Sequence, residues 1–382
     1  MYKANRRGVP ATCLVGTAIA LWLAACNPAA PAPETPLPLA WRARVTDAIS
    51  RPAVGDGLVF VVDERSRLVA LDAATGSKRW ESELTQAGHR DDPVGVDAGR
   101  VFAAVHGDVG KVVAFDASTG AQQWEVTFGP YRDDEHPLAH QGVVYFEATG
   151  ADGLTASLRA ADAATGATLW EYPVGSYVAT SPLVGEGLIY GGAYQYDGPT
   201  NKTRRVFAVD TATGEERWAY TSDLDLSAHF ALDASRLYIG ADGGVVIARD
   251  AATGDPAWTA RAGSRLSNSP TVAGGLVYVG TKDAEMVALN AEDGERQWAL
   301  AVDSPVLTQA TVVDGVVYFG TNDGYLVAVD ALTGEEEWKV QAPVRKRLAM
   351  PEIVPAMGTT PVVAGDLLLY YNGHALNALR LR

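Results

Sequence analysis

Cysteine is almost absent from this chain of 382 residues, which has only Cys13 and Cys26. Beyond residue 26 there is no thiol, which excludes a disulfide framework, a cysteine nucleophile, an iron–sulfur cluster and a thiolate zinc site from the body of the protein. Positive charge is also scarce, with 31 Lys and Arg against 46 Asp and Glu and a net charge of -15. Such a balance disfavours nucleic acid as a partner and does not by itself hold a protein on anionic lipid. Long apolar runs are missing too, because the stretch from Leu14 to Ala25 is far shorter than a bilayer span.

That apolar stretch follows Lys3, Arg6 and Arg7 and ends Leu23-Ala24-Ala25-Cys26. A basic start, an apolar centre and a small-residue end are the pattern of an export leader. The ending resembles a bacterial lipobox, which implies cleavage before Cys26 and lipid attachment to its sulfur. Residues 1–25 are therefore expected to be a lipoprotein signal peptide, and without them the charge becomes 28 minus 46, or -18. NPAAPAPETPLPL follows at 27–39, with Pro at five of its thirteen positions. Residues 26–38 are read as a lipidated cysteine and a tether, extended at roughly 3.1 Å per residue over about 40 Å.

What the chain has in abundance is one repeated skeleton. AVDTATGEERW at 208–218 recurs from Ala70, Ala114, Ala160, Ala248, Ala288 and Ala328, with eight residues from the acidic or amide residue to the Trp each time. The pairs are Asp72 and Trp80, Asp116 and Trp124, Asp162 and Trp170, Asp210 and Trp218, Asp250 and Trp258, Asn290 and Trp298, and Asp330 and Trp338. An Asp at a strand end accepts N–H bonds from the next residues, and Gly supplies the positive φ of a tight turn. The Trp then has a ring large enough to cover a neighbouring unit and an indole N–H that needs an acceptor. Seven copies argue for a structural part and against a unique catalytic centre.

Each unit contains two earlier strand signals, so four short antiparallel strands repeat about every 40 residues, the pattern of a propeller blade. Trp41 is an eighth tryptophan of this kind, and HALNALRLR at 374–382 matches the strand before the turn. The expected fold is all-β: an eight-bladed β-propeller over 39–382 whose last blade is closed by the N-terminal strand.

The Ala-x-Asp-x-x-Thr-Gly-x-x-x-Trp skeleton resembles the tryptophan-docking motif of the pyrroloquinoline quinone (PQQ) repeat superfamily. The superfamily includes quinoprotein dehydrogenases and non-catalytic propellers. A dehydrogenase implies PQQ over calcium and, in many members, a disulfide between adjacent cysteines that this chain lacks. Asp91-Asp92 and Asp133-Asp134-Glu135 offer oxygen ligands, although acidic loop runs are more often solvated turns. The size, lipobox, Pro-rich tether and eight units resemble the BamB-like lipoproteins, which implies no cofactor, no catalysis and a scaffold role in outer-membrane β-barrel assembly. The protein is then expected to be a monomeric propeller on the periplasmic side of the outer membrane, with envelope proteins as partners. The alternatives are a PQQ dehydrogenase or an envelope propeller that binds another protein or a glycan.

Spacing marks where a partner would bind. Trp338 to Pro361 spans 23 residues where most units have 12, and the second-strand aromatic lies 14, 17 and 20 residues before the motif Asp from Phe102, Tyr145 and Tyr190, against 12 elsewhere. Both kinds of connection open on one face, so the extra length is expected as binding loops. QAPVRKRLAMPEIVPAMGTT at 341–360 is the longest, with Arg345, Lys346 and Arg347 followed by Met350, Ile353 and Met357 as candidate contacts. Arg51, His136, Ser181, His229, Ser269, Gln309 and Thr360 precede the first-strand positions, with Pro93 in the eighth unit. They are expected to form a polar, water-filled ring in the central channel, with the histidines structural and no metal bound.

Overall fold

The computed structural model describes residues 37–45, 50–63, 65–84, 94–105, 109–129, 137–178, 181–196, 202–341, 359–372 and 375–381, with side chains omitted at 177, 178, 202 and 227–229. These residues form eight antiparallel sheets and no helix. Blade 6 shows the pattern: an inner strand Thr271–Ala273, then Leu276–Gly280, Glu285–Asn290 and an outer strand Arg296–Ala301. The second and third strands are the core, as in Leu276–Gly280, buried at every position; the outer strand alternates exposed and half-buried residues. Alternation suits a strand with one face on the next blade and one in water.

The remaining blades run 53–83, 95–127, 138–175, 177–222, 226–261 and 311–341, numbered 1 to 5 and 7, and blade 8 takes 362–380 with 39–43. Their inner strands are neighbours in the order Leu138–His140, Gly95–Asp97, Ala53–Gly55, Val362–Ala364, Thr311–Val313, Thr271–Ala273, Leu226–Leu232 and Leu183–Gly185. Blade 8 thus sits beside blade 1. Leu39–Ala43 completes blade 8 by pairing with Leu376–Arg380, with Trp41 opposite Ala378 and Ala43 opposite Leu376. The fold is an eight-bladed propeller closed by its N-terminal strand.

The repeated skeleton packs each blade on the next. The indole N–H of Trp218 donates to the Ala251 carbonyl at 2.9 Å, and those of Trp41, Trp80, Trp124, Trp170, Trp258 and Trp298 reach the equivalent carbonyls of Ala73, Ala117, Ala163, Thr211, Ala291 and Ala331. The hydroxyls of Tyr190, Tyr238 and Tyr278 donate to the same carbonyls of Ala251, Ala291 and Ala331 at 3.1 to 3.2 Å. Blade 8 ends its third strand at Arg380 and has no such turn. Trp338 instead packs beside Leu37, Leu368, Tyr370 and Leu379.

Candidate functional site

Topology sets the two ends of the ring apart. In a four-stranded antiparallel blade, the connections from second to third strand and from outer strand to the next inner strand lie at one end. All three long second-to-third segments belong to that end, and the connection from Glu336–Gln341 to Val362–Ala364 starts and finishes there, with residues 342–358 outside the described ones.

In blades 3 and 4 the extra length is built as strand more than as loop. Val143–Thr149 and Ala156–Asp162 have seven residues each, and Leu188–Tyr196 and Lys202–Asp210 have nine, against five or six in blades 1, 6 and 7. The reason is local: LIYGGAYQY and KTRRVFAVD are rich in β-branched and aromatic residues, and pairing as far as Tyr196 with Lys202 satisfies their backbone groups. Tyr177–Val178 adds a short strand against Tyr194 and Ala193, so blade 4 has five strands.

This raised hairpin is braced from both sides. The Tyr196 N–H donates to Ser176 Oγ at 3.3 Å, and the Tyr194 hydroxyl donates to the Leu226 carbonyl at 3.3 Å. Arg204 Nε donates to Asp225 Oδ1 at 2.5 Å, and this bond raises the Arg204 pKa above its usual value. Arg205 and Tyr172 both donate to the Glu216 carboxylate, which ties blade 3 to blade 4; burial, then that bond, raises the Tyr172 pKa.

Exposed apolar side chains collect at the same end. Among the described residues, Val109, Leu154 and Leu224 are exposed in connections of blades 2 to 5 and Tyr196 at the tip of the blade 4 hairpin, with Leu154 at 70%. Leu332 is in a turn at the opposite end, and Leu39 and Leu169 are in outer strands. Val109, Leu154 and Tyr196 lie in the three segments whose spacing is long, whereas Leu224 is in a connection that spacing did not mark.

The channel positions share one register. Ala53, Gly95, Leu138, Leu183, Ala231, Thr271 and Thr311 pair with the second-strand aromatics Phe60, Phe102, Tyr145, Tyr190, Tyr238, Tyr278 and Tyr318, and Val362 pairs with Leu369. Arg51, Pro93, His136, Ser181, His229, Ser269, Gln309 and Thr360 each lie two residues before that pair. Arg51 Nη1 donates to Gln309 Oε1 at 3.2 Å across blade 8, and the Gln309 amide donates to the Pro270 carbonyl at 3.1 Å. Water reaches Arg51, yet protein surrounds it closely enough that desolvation lowers its pKa.

Several expected site residues lie outside the described residues: Cys26, Asp91, Asp92, Pro93, the run from Asp133 to His136, and Arg345, Lys346, Arg347, Met350, Ile353 and Met357. His229 is placed within the strand Leu226–Leu232, with its side chain undescribed. Among the described residues the ring positions offer an Arg, an amide and hydroxyls, and no group of three or more His, Cys, Asp or Glu is placed to hold a metal ion. Calcium takes 6–8 oxygen ligands, carboxylates prominent among them.

Comparison with known proteins places these features. A solved structure, BamB from Moraxella catarrhalis, is similar at 23% identity with a TM-score of 0.60, over 74% of this chain and 83% of that one. A europium-containing methanol dehydrogenase is similar at 17% identity with a TM-score of 0.69, over 89% and 85%. The computationally designed Ika8 protein is similar at 16% with a TM-score of 0.68, over 90% and 99%. At these identities the likeness shows the fold alone. No curated protein matches the chain. The family described as outer membrane protein assembly factor BamB matches residues 38–109, 86–220 and 202–378. With the motif repeated through those spans and closed into eight blades, the chain belongs to the BamB family of PQQ-like repeat propellers.

Proposed function

We propose that this chain is an exported, non-catalytic lipoprotein scaffold that binds envelope proteins, in the assembly of outer-membrane β-barrels, through the end of the ring bearing the raised hairpin. The observation that carries this reading is the gathering of Val109, Leu154, Tyr196 and Leu224 at that end, on connections held by a rigid closed ring. Aromatic and aliphatic anchors braced by hydrogen bonds lose little freedom when a partner covers them. In this reading residues 1–25 are a signal peptide, Cys26 carries the lipid and 26–38 form the tether on the periplasmic side of the outer membrane. The insertion with Arg345, Lys346, Arg347, Met350, Ile353 and Met357 joins the same end and extends the contact surface.

Affinity capture from detergent-solubilised envelopes tests the proposal. The parent is expected to recover a β-barrel assembly protein, and the double variant Leu154→Ser with Tyr196→Ser to recover about tenfold less, as for loss of a central anchor. Equal recovery by the two proteins, or recovery of no assembly protein by the parent, overturns it.

A further inference from the structure

Four consecutive blades, 6, 7, 8 and 1, contribute Ser269, Gln309, Thr360 and Arg51 to the channel ring. Gln309 is oriented by its bond to the Pro270 carbonyl, so its oxygen is turned to the guanidinium of Arg51. That partner is neutral. Among the described residues no carboxylate pairs with Arg51, nor with Arg42, Arg100, Arg236 or Arg249, which bond amide or backbone oxygens, whereas eight other arginines each have one.

The hydroxyls one residue before the ring positions face the second strands instead. Ser50 and Thr308, one residue before Arg51 and Gln309, accept the N–H groups of Val62 at 2.9 Å and Gly320 at 2.7 Å. Thr359 holds the equivalent place before Thr360 and is buried at 6% exposure, yet its hydroxyl has no hydrogen-bond partner. The hydroxyl of Ser267, two residues before Ser269, is also buried without one.

A guanidinium presents five N–H donors in a planar fork that matches carboxylate and phosphate oxygens. A guanidinium whose bound partner is an amide keeps its full charge and most of those donors. We propose that this half of the channel ring binds a small oxyanion, a carboxylate or a phosphate, on Arg51, with the ring hydroxyls of the adjoining blades as further donors. The acidic molecule around the site repels anions, so binding is weak and specific to groups that fit the fork. Its test is separate from that of the docking surface, because Arg51 is on blade 1 and is none of the docking residues named above, although Thr360 ends the 341–360 insertion.

Isothermal titration calorimetry on the full chain tests it, with sodium phosphate, citrate and acetate as probes and ionic strength held constant with sodium chloride. Saturable binding of phosphate or citrate on the order of 1 mM is expected, with Arg51→Gln at least about tenfold weaker. The order of the probes identifies the preferred headgroup. Should Arg51→Gln fail to fold, Arg51→Lys retains the charge without the fork, and it is expected to weaken binding severalfold at an unchanged melting temperature. Absence of saturable binding by the parent, or binding by the folded Arg51 variants as tight as the parent's, overturns the proposal.

Discussion

At the scale of the residue, the motif glycine is as constrained as the tryptophan it faces. Gly254 has a φ of 76°, and a Cβ there would meet Trp218 Cδ2 at 2.6 Å. Gly76, Gly120, Gly166, Gly214, Gly294 and Gly334 meet the preceding blade's Trp in the same way, at 2.4 to 2.8 Å. The glycine therefore has two duties, a left-handed turn and a flat bed for an indole whose N–H is already fixed. Gly274 has the first duty alone, with a φ of 59° and open space around its Cβ position. Gly254→Ala is expected to destabilise by about 2–4 kcal/mol, the sum of left-handed strain and overpacking. Gly274→Ala should cost only about 1–2 kcal/mol. Urea unfolding of the two variants checks the difference, and equal losses would show that the ring moves aside freely.

The turn is the relevant element for pH. Asp250 Oδ1 accepts the N–H groups of Ala252 at 3.0 Å and Thr253 at 2.8 Å and the Thr253 hydroxyl at 3.1 Å. The Thr253 backbone bond is the chief cause that lowers its pKa; in Asp72, Asp116 and Asp162 the side-chain hydroxyl bond is first, and in Asp210 and Asp330 again the backbone bond. A carboxyl with a depressed folded pKa contributes stability fully above its unfolded value, near 3.9, and loses it as pH falls through the folded value. Six such turns act together. Stability measured by denaturant unfolding should be nearly level on this account from about pH 7 to pH 5 and fall steeply below about pH 4. Asn290 already shows the neutral form of the turn, accepting the Glu292 N–H at 2.7 Å. Asp250→Asn should accordingly make the acid limb shallower; an unchanged slope would mean that these turns do not govern it.

For the whole molecule the decisive feature is closure. Leu39–Ala43 buries Trp41, which spans the seam by donating to the Ala73 carbonyl at 2.8 Å. Arg42 Nε donates to Asn377 Oδ1 at 2.7 Å, and the Arg380 N–H donates to the Pro38 carbonyl at 2.9 Å. Without that strand Leu376–Arg380 becomes a free edge, which invites pairing with another chain. A variant starting at Ser50 should melt several degrees lower and show dimers or larger species by light scattering, since one large aromatic is typically worth about 3–5 kcal/mol. A monomer with the parent's melting curve would show that seven covalent blades suffice.

Repeat, blade number, turn chemistry and the split last blade were legible in the sequence, because each follows from residue type at fixed spacing. Strand length in blades 3 and 4 was not: the intervals after Tyr145 and Tyr190 announced extra residues, but whether they pair depends on finding backbone partners, and that is settled across strands. The bracing of the hairpin by Ser176, Asp225 and Leu226 and the shared carbonyls under Tyr and Trp were invisible for the same reason. Arg51 and Gln309 are 258 residues apart, and only a closed ring brings blade 7 and blade 1 within reach of one another. Local propensity and periodicity act over a few residues, whereas contact across the channel exists only after every blade has docked on the next.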